Sequence, residues 1–231
     1  MKVSKSYIII YLICVFSASY LINGCAEDET ITNPPPSGGA FTLSGSVTNY
    51  PGGSVIAKAE IIKSFPPDTF AVGTDTIDND AQLNMSLVTP PSDFLIAIYL
   101  IVPSGISVSD TSAKITTFGG LRAYTFSGAL LGYILKKNFA DTVFEGSFAV
   151  QYIFSTKAVT VTGSDTTINI TDTTISAYNL SMQAGWNTIS IRRTVQRPNF
   201  QLTDFLSGEL AGASWRWETA PLFRKFKGFV L

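Results

Sequence analysis

The sequence predicts an all-β protein, an antiparallel β-sandwich of one or two modules that follows a signal peptide and a flexible linker. From residue 41 onwards, runs rich in Val, Ile, Thr and aromatic residues are separated by Gly, Pro, Asn and Asp at intervals of roughly 8 to 12 residues, which is typical of strands joined by turns. Hydrophobic residues make up 45% of the 231-residue chain, which is ample for a buried core.

The composition also excludes several classes of function. The chain contains no histidine and only two cysteines. Ser-His-Asp catalysis, Cys-His catalysis and nearly all zinc, copper and haem sites are therefore excluded, and no cofactor or metal is predicted. Sixteen basic residues nearly balance seventeen acidic ones, for a formal net charge of -1. Because such a chain has no strong field to attract polyanions, nucleic-acid binding is not expected.

The first 24 residues have the layout of a secretory signal peptide. Lys2 and Lys5 precede an uncharged, mostly apolar run over residues 7–22. A helix over this run would be about 24 Å long. That is shorter than the roughly 30 Å hydrocarbon core of a bilayer, so cleavage is favoured over a permanent span. We expect residues 1–24 to be removed.

The end of this segment carries a sequence-specific signal. It reads Leu21-Ile22-Asn23-Gly24-Cys25, which resembles the lipobox of bacterial lipoproteins. The resemblance implies that the Cys25 thiol receives a diacylglycerol, that the chain is cut after Gly24, and that fatty acyl chains such as palmitate anchor the mature protein to a membrane. Cys14 lies in the segment to be discarded. The alternatives are an ordinary signal peptide in which Cys25 is incidental, and an uncleaved anchor.

Residues 25–40 are expected to form the lipidated cysteine and a disordered linker. After Cys25 the sequence is AEDETITNPPPSGGA, which cannot build a packed core. The acidic residues resemble the stretch that directs some Gram-negative lipoproteins to the outer membrane. The resemblance implies a lipid-anchored outer-membrane protein whose domain faces the periplasm or the cell surface. A merely solvated linker explains the same residues.

A first β module is predicted over residues 41–102. The run at 41–47 alternates with period two, and residues 49–53 form a turn. The predicted strands are 41–47, 54–62, 70–77 and 82–88, of which the last two would form a hairpin, and 94–102, which is apolar throughout and would be a central strand buried on both faces.

This first module resembles the transthyretin-like or carboxypeptidase-regulatory-like β-sandwich. In that family a first strand with an internal glycine, here Gly45, is followed by a turn of the form T-x-D-x-x-G-x-F. The turn here runs over residues 76–83, with Ala81 in the glycine position and Leu83 in the phenylalanine position. The resemblance implies a structural or binding unit and not a catalyst.

A second β-rich module is predicted over residues 106–231. Its Gly185-Trp186-Asn187 turn resembles one in uncharacterised secreted lipoproteins. Residues 205–210 are predicted to form a helical turn. The predicted strands are 121–126, 129–135, 148–155, one or two exposed edge strands within 159–176, 175–182 and 186–195.

Three tryptophans are the candidate ligand-binding residues. Trp215 and Trp217 are two residues apart, so they lie on one face of a strand, and Trp186 would join them in a flat platform for stacking sugar rings. The alternative is that these large apolar side chains pack inside the core. A second cluster, Asp75, Asp78 and Asp80 with Asn79, would either supply oxygens to calcium or cap a plain turn.

Taken together, these patterns predict a lipid-anchored cell-envelope protein with a non-catalytic structural, adhesion or protein-interaction role. Its partners would be the membrane, through the lipid, and a protein or glycan. The alternative is a carbohydrate-binding module that uses Trp186, Trp215 and Trp217. A glycoside hydrolase is the third hypothesis, with carboxylates drawn from Glu60, Glu145, Glu209 and Glu218.

Overall fold

A computed structural model describes residues 41–64, 66–169 and 172–219. The predicted signal peptide, Cys25 and the linker over 25–40 lie outside the described residues, as does the end of the second predicted module over 220–231.

The all-β prediction is confirmed. The described residues contain fifteen strands and two 3-10 turns, Ser92–Phe94 and Ile98–Leu100. The strands are β1 (Phe41–Thr48), β2 (Val55–Ser64), β3 (Pro67–Ile77), β4 (Gln82–Leu87), β5 (Ile96–Ala97), β6 (Ser107–Val108), β7 (Lys114–Phe118), β8 (Leu121–Tyr124), β9 (Leu130–Lys137), β10 (Phe148–Ser155), β11 (Val159–Ile168), β12 (Thr173–Met182), β13 (Gly185–Arg197), β14 (Phe200–Ser207) and β15 (Ser214–Thr219).

The strands are hydrogen-bonded into one mixed sheet. Its main path runs β3-β2-β8-β9-β10-β13-β14-β12-β11-β6, while β1, β4, β5, β7 and β15 pair beside that path. Most pairs are antiparallel, as predicted. Two are parallel, β1 with β15 and β12 with β14, so the sheet is mixed.

The two predicted modules share this sheet. In the first predicted module, β2 pairs with β8 of the second, and Ala57 lies opposite Ala123. Strand β1 pairs with β15, and Val47 lies opposite Trp215. The predicted boundary between residues 102 and 106 therefore does not separate two sheets. The two halves of the chain also contribute to the same hydrophobic core.

Strand β10 separates two cores because its side chains alternate between the faces of the sheet. Phe148, Val150 and Tyr152 belong to the larger cluster, which also contains residues of β1–β4 and all three tryptophans. Ile153 and the partly buried Ala149 point to the other side and belong to a second cluster with residues of β7 and β11–β14. Both faces of this strand are buried, so the sheet has packed material on either side of it.

The second cluster is enclosed by a series of neighbouring strands, here called the closed strip, whose first and last strands are joined by a connecting segment. The strip runs β5-β7-β10-β13-β14-β12-β11-β6, and residues 98–106 connect β5 directly to β6. The Ile98 amide donates to the Ala113 carbonyl at 2.9 Å, and the Ser109 amide donates to the Thr160 carbonyl at 3.1 Å. The connecting segment therefore closes the strip over the second cluster.

The prediction of a buried central strand over residues 94–102 is wrong. This segment forms the two 3-10 turns and the two-residue strand β5. Phe94 and Ile98 are buried, whereas Tyr99 and Leu100 are exposed. The sequence of apolar residues is continuous, but the segment has a strand partner only at β5, so most of it lies outside the sheet.

The predicted helical turn over residues 205–210 is also wrong. These residues begin in β14, which pairs with β13 on one side and with β12 on the other. Phe205 is buried in the second cluster. Two neighbouring strands supply backbone partners along this segment, and such tertiary pairing overrides a weak local helical preference.

The predicted hairpin over 70–77 and 82–88 is wrong in its pairing, although its turn is present. Strand β3 pairs with β2, and β4 pairs with β1. The turn at 78–81 thus carries the chain from one pair of strands to the other. At the far end, the Val88 amide still donates to the Val72 carbonyl at 2.7 Å.

Ala81 adopts the left-handed conformation that the resembled turn assigns to glycine. Its φ is 55°, its amide donates to the Asp78 carbonyl at 2.9 Å, and its carbonyl accepts from the Val47 amide at 2.8 Å. A non-glycine residue in this region costs roughly 1–2 kcal/mol. The two hydrogen bonds hold the residue there in spite of that cost.

We expect Ala81→Gly to change the free energy of unfolding by less than about 0.5 kcal/mol. Relief of the left-handed strain offsets the greater flexibility of glycine and the loss of a partly buried methyl group. The matched control is Ala71→Gly in β3, where φ is not positive and the substitution should cost about 0.5–1 kcal/mol. Urea denaturation measures both; equal losses at the two positions would contradict the strain at residue 81.

Candidate functional site

The three tryptophans are buried, so the hypothesis of an exposed stacking platform is wrong and the core alternative is correct. Trp186, Trp215 and Trp217 are only 9%, 2% and 7% exposed. Trp215 and Trp217 do lie on one face of β15, as their spacing predicts, but that face packs on the larger core. Their apolar area therefore contributes to the packing of the core.

Specific contacts hold the indoles in the core. Trp215 Nε1 donates to the Ser44 carbonyl at 3.1 Å, and its ring stacks on Tyr152 with 6.0 Å between centroids. Gly45 has a φ of 138°, and a Cβ there would lie 3.2 Å from the Trp215 ring. The internal glycine of β1 thus makes room for this indole. Trp186 Nε1 likewise donates to the Val88 carbonyl at 3.0 Å.

Side chains of the acidic loop accept hydrogen bonds from nearby backbone amides, in keeping with the turn alternative. Asp75 accepts from the Asn84 amide at 2.7 Å, Asp80 accepts from the Gln82 amide at 3.2 Å, and Asn79 accepts from the Gly53 amide at 2.7 Å. No group of three or more metal-ligating side chains occurs within the described ranges.

A cavity of about 590 Å³ lies on the inner side of the closed strip, and residues of β2, β8 and β9 also line it. This volume lies within the range of small-molecule pockets. Most of the wall is apolar. It includes Ile98, Ile101, Val102, Ile115, Leu135, Ala149, Ile153, Val161, Leu180, Met182, Ile189 and Phe205. Ile62 and Ile96 also line the cavity and are 54% and 42% exposed, which marks where it meets solvent.

The strand pattern explains how the cavity is lined. In β9, Tyr133, Leu135 and Lys137 line the cavity, whereas Ile134 between them is buried in the larger core. Alternation with period two thus assigns one set of β9 side chains to each side of the sheet.

One charged pair lies beside the opening. Arg122 binds Glu60 with 3.0 Å between Nη1 and Oε2, and the Tyr124 hydroxyl donates to the same carboxylate oxygen at 2.8 Å. Burial and the hydrogen bond to Glu60 raise the pKa of Tyr124. The Glu60 carboxylate is therefore held by a cation and a hydroxyl.

A second charged pair is buried in the wall. Lys137 Nζ lies 2.5 Å from Glu218 Oε1, and the two side chains are 1% and 6% exposed. Lys137 also donates to the Ala140 carbonyl at 2.7 Å and lies 4.6 Å from the centroid of the Phe139 ring. The ammonium group is thus compensated by a carboxylate, a carbonyl and an aromatic face.

Two hydroxyl-bearing residues add polarity to the apolar wall. Tyr178 packs against Phe205 with 4.6 Å between ring centroids, and its pKa is raised, mainly by burial and also by Asp165. The hydroxyl of Thr117 is buried and has no hydrogen-bond partner among the described residues.

The four glutamates considered for hydrolysis are engaged at separate places. Glu60 and Glu218 form the two pairs above, and Glu209 binds Lys136 at 2.7 Å. Glu145 accepts from the Gln196 amide at 3.4 Å. Three of these carboxylates are bound by cations, and of the four only Glu60 lines the cavity.

Comparisons with protein-family models, with curated proteins and with solved structures find no match to this chain. Within the described residues the helical elements are the two 3-10 turns, and neither could span a bilayer as a helix.

Proposed function

We propose that the chain is a lipid-anchored cell-envelope protein with a non-catalytic structural, adhesion or protein-interaction role. The observation that carries this proposal is the sequence Leu21-Ile22-Asn23-Gly24-Cys25 at the end of an apolar run that follows Lys2 and Lys5. The proline-containing stretch over 26–40 would then connect the lipid to the β domain, which begins at Phe41.

The proposed location is the outer membrane, with the domain facing the periplasm or the cell surface. The acidic residues after Cys25 support this location. The membrane would be a partner through two or three acyl chains, since a single chain gives only marginal anchoring. A protein or glycan is the proposed second partner, and the near-neutral charge of the chain argues against nucleic acid.

The non-catalytic role is supported by the chemistry of the side chains. The chain has no histidine to act as general base. Three of its candidate glutamates are neutralised by Arg122, Lys136 and Lys137. The internal Gly45 and the left-handed turn at Ala81 agree with the likeness to transthyretin-like modules, which implies a structural or binding unit.

The lipid anchor is tested by matched substitutions of the two cysteines in the full chain. We expect wild type and Cys14→Ser to enter the detergent phase of Triton X-114 and to incorporate an alkyne-labelled palmitate. Cys25→Ser should lose both properties, because serine offers no thiol to form the thioether to the lipid.

Intact mass spectrometry provides the second measurement. The wild-type and Cys14→Ser products should start at Cys25 and carry the added mass of acyl chains. A wild-type product with the mass of the bare polypeptide, or label retained in Cys25→Ser, would overturn the anchor.

A further inference from the structure

We propose that the cavity inside the closed strip binds a single-chain lipid with an uncharged polar head, of the monoacylglycerol class. This inference does not depend on the lipid anchor, since every residue that carries it belongs to the β domain. It assigns the domain a small-molecule ligand in addition to a role in attachment or scaffolding.

The wall of the cavity selects for a chain-like apolar ligand. Its side chains come from β2 and β8 near one end of the sheet path and from β11 and β12 near the other. Between them, Ile153, Leu180 and Ile189 present hydrocarbon to the interior. Displacement of water by methylene groups along this wall is the driving force for binding.

The charges of the wall select for a neutral head. Arg122 is already bound to Glu60, and Lys137 is already bound to Glu218. An ionised carboxylate or phosphate would enter without a cation free to compensate it, and such desolvation is costly. A hydroxyl or ester head carries no such penalty and finds the Thr117 hydroxyl as a hydrogen-bonding group.

The opening supports entry of an apolar molecule. Ile62 and Ile96 lie at the mouth, and the exposed Tyr99 and Leu100 adjoin Ile98 on the segment that closes the strip. A chain that meets this surface therefore contacts hydrocarbon before it reaches the interior.

The test is photolabelling of the full chain in whole cells that produce it. The probe is a monoacylglycerol whose acyl chain carries a diazirine, followed by digestion and mass mapping of the labelled residues. We expect label on inward-facing residues such as Ile153 and Met182, and removal of that label by excess monoolein but not by the same concentration of oleate.

Neighbouring positions on β11 provide the matched variants. Val161 lines the cavity and Thr160 points outward, so Val161→Trp should reduce the inward label at least tenfold and Thr160→Trp should leave it unchanged. Ala149→Leu on β10 fills the cavity with a smaller change. It replaces Val161→Trp in the test if limited proteolysis shows that Val161→Trp is not folded.

Three results would overturn the proposal. Label confined to outward-facing residues would show contact with the protein surface only. Label unchanged in a folded filling variant would place the probe elsewhere. Competition by oleate as strong as that by monoolein would contradict the neutral head. None of these outcomes bears on Cys25, so failure here leaves the lipid anchor standing.

Discussion

Substitution of one partner of the buried Lys137–Glu218 pair should lower the free energy of unfolding by about 3–5 kcal/mol. Glu218→Gln leaves the Lys137 ammonium without its paired carboxylate in a site where the side chain is 1% exposed. Lys137→Met leaves the Glu218 carboxylate equally uncompensated. Either change retains the desolvation cost of an ion and removes the attraction that offset it.

The double variant Lys137→Met/Glu218→Leu tests whether the loss of stability comes from an unpaired charge or from altered packing at the site. Two apolar side chains of similar volume remove both charges at once, so most of the loss should be recovered. The matched control is Lys157→Met, since the Lys157–Asp110 pair at 3.0 Å is exposed and should leave stability nearly unchanged. Urea denaturation of the full chain measures all four variants. Equal effects at residues 137 and 157 would contradict the burial of the first pair.

The all-β class could be predicted because it depends on a local signal. Alternation within segments such as Phe41–Thr48 and the turn residues between them report strand and turn geometry without knowledge of the partner strand. The same signal predicted β10, and its apolar residues at both odd and even positions could have indicated a strand buried on two faces.

The pairing of strands could not be predicted in the same way. Val47 pairs with Trp215, and the hydrogen bond from Trp215 to Ser44 spans 171 positions of sequence. Neither segment contains a local signal that identifies its partner strand, because register is set by which faces are buried together. The expected hairpin after Ile77 failed for this reason, since the turn is local and the pairing is not.

The cavity was missed because its wall is assembled from single faces of many strands. Each contributes between one and four lining residues, such as Val161 from β11 and Phe205 from β14. The apolar segment over 94–102 was the one sequence feature that could have indicated the cavity, but its hydrophobicity was interpreted as that of a central strand. In the structure it closes the strip, so its apolar residues divide between the wall and solvent.

Trp215→Ala should lower the free energy of unfolding by about 3–5 kcal/mol, the usual cost of truncating a buried aromatic side chain. The indole is 2% exposed, stacks on Tyr152 and donates to the Ser44 carbonyl. Its removal leaves a void beneath Gly45, where no side chain is present to fill the space. The lost packing and the orphaned carbonyl both act on the folded state.

Comparison with Trp215→Phe and Phe126→Ala shows which property of the indole matters. Trp215→Phe keeps most of the ring packing and loses the Nε1 hydrogen bond, so its cost should lie between those of wild type and Trp215→Ala. Phe126 is exposed, and its truncation should change stability by less than about 0.5 kcal/mol. If Trp215→Ala unfolded at the same urea concentration as Phe126→Ala, the indole would not be a core residue, and the parallel pairing of β1 with β15 that covers it would also be in error.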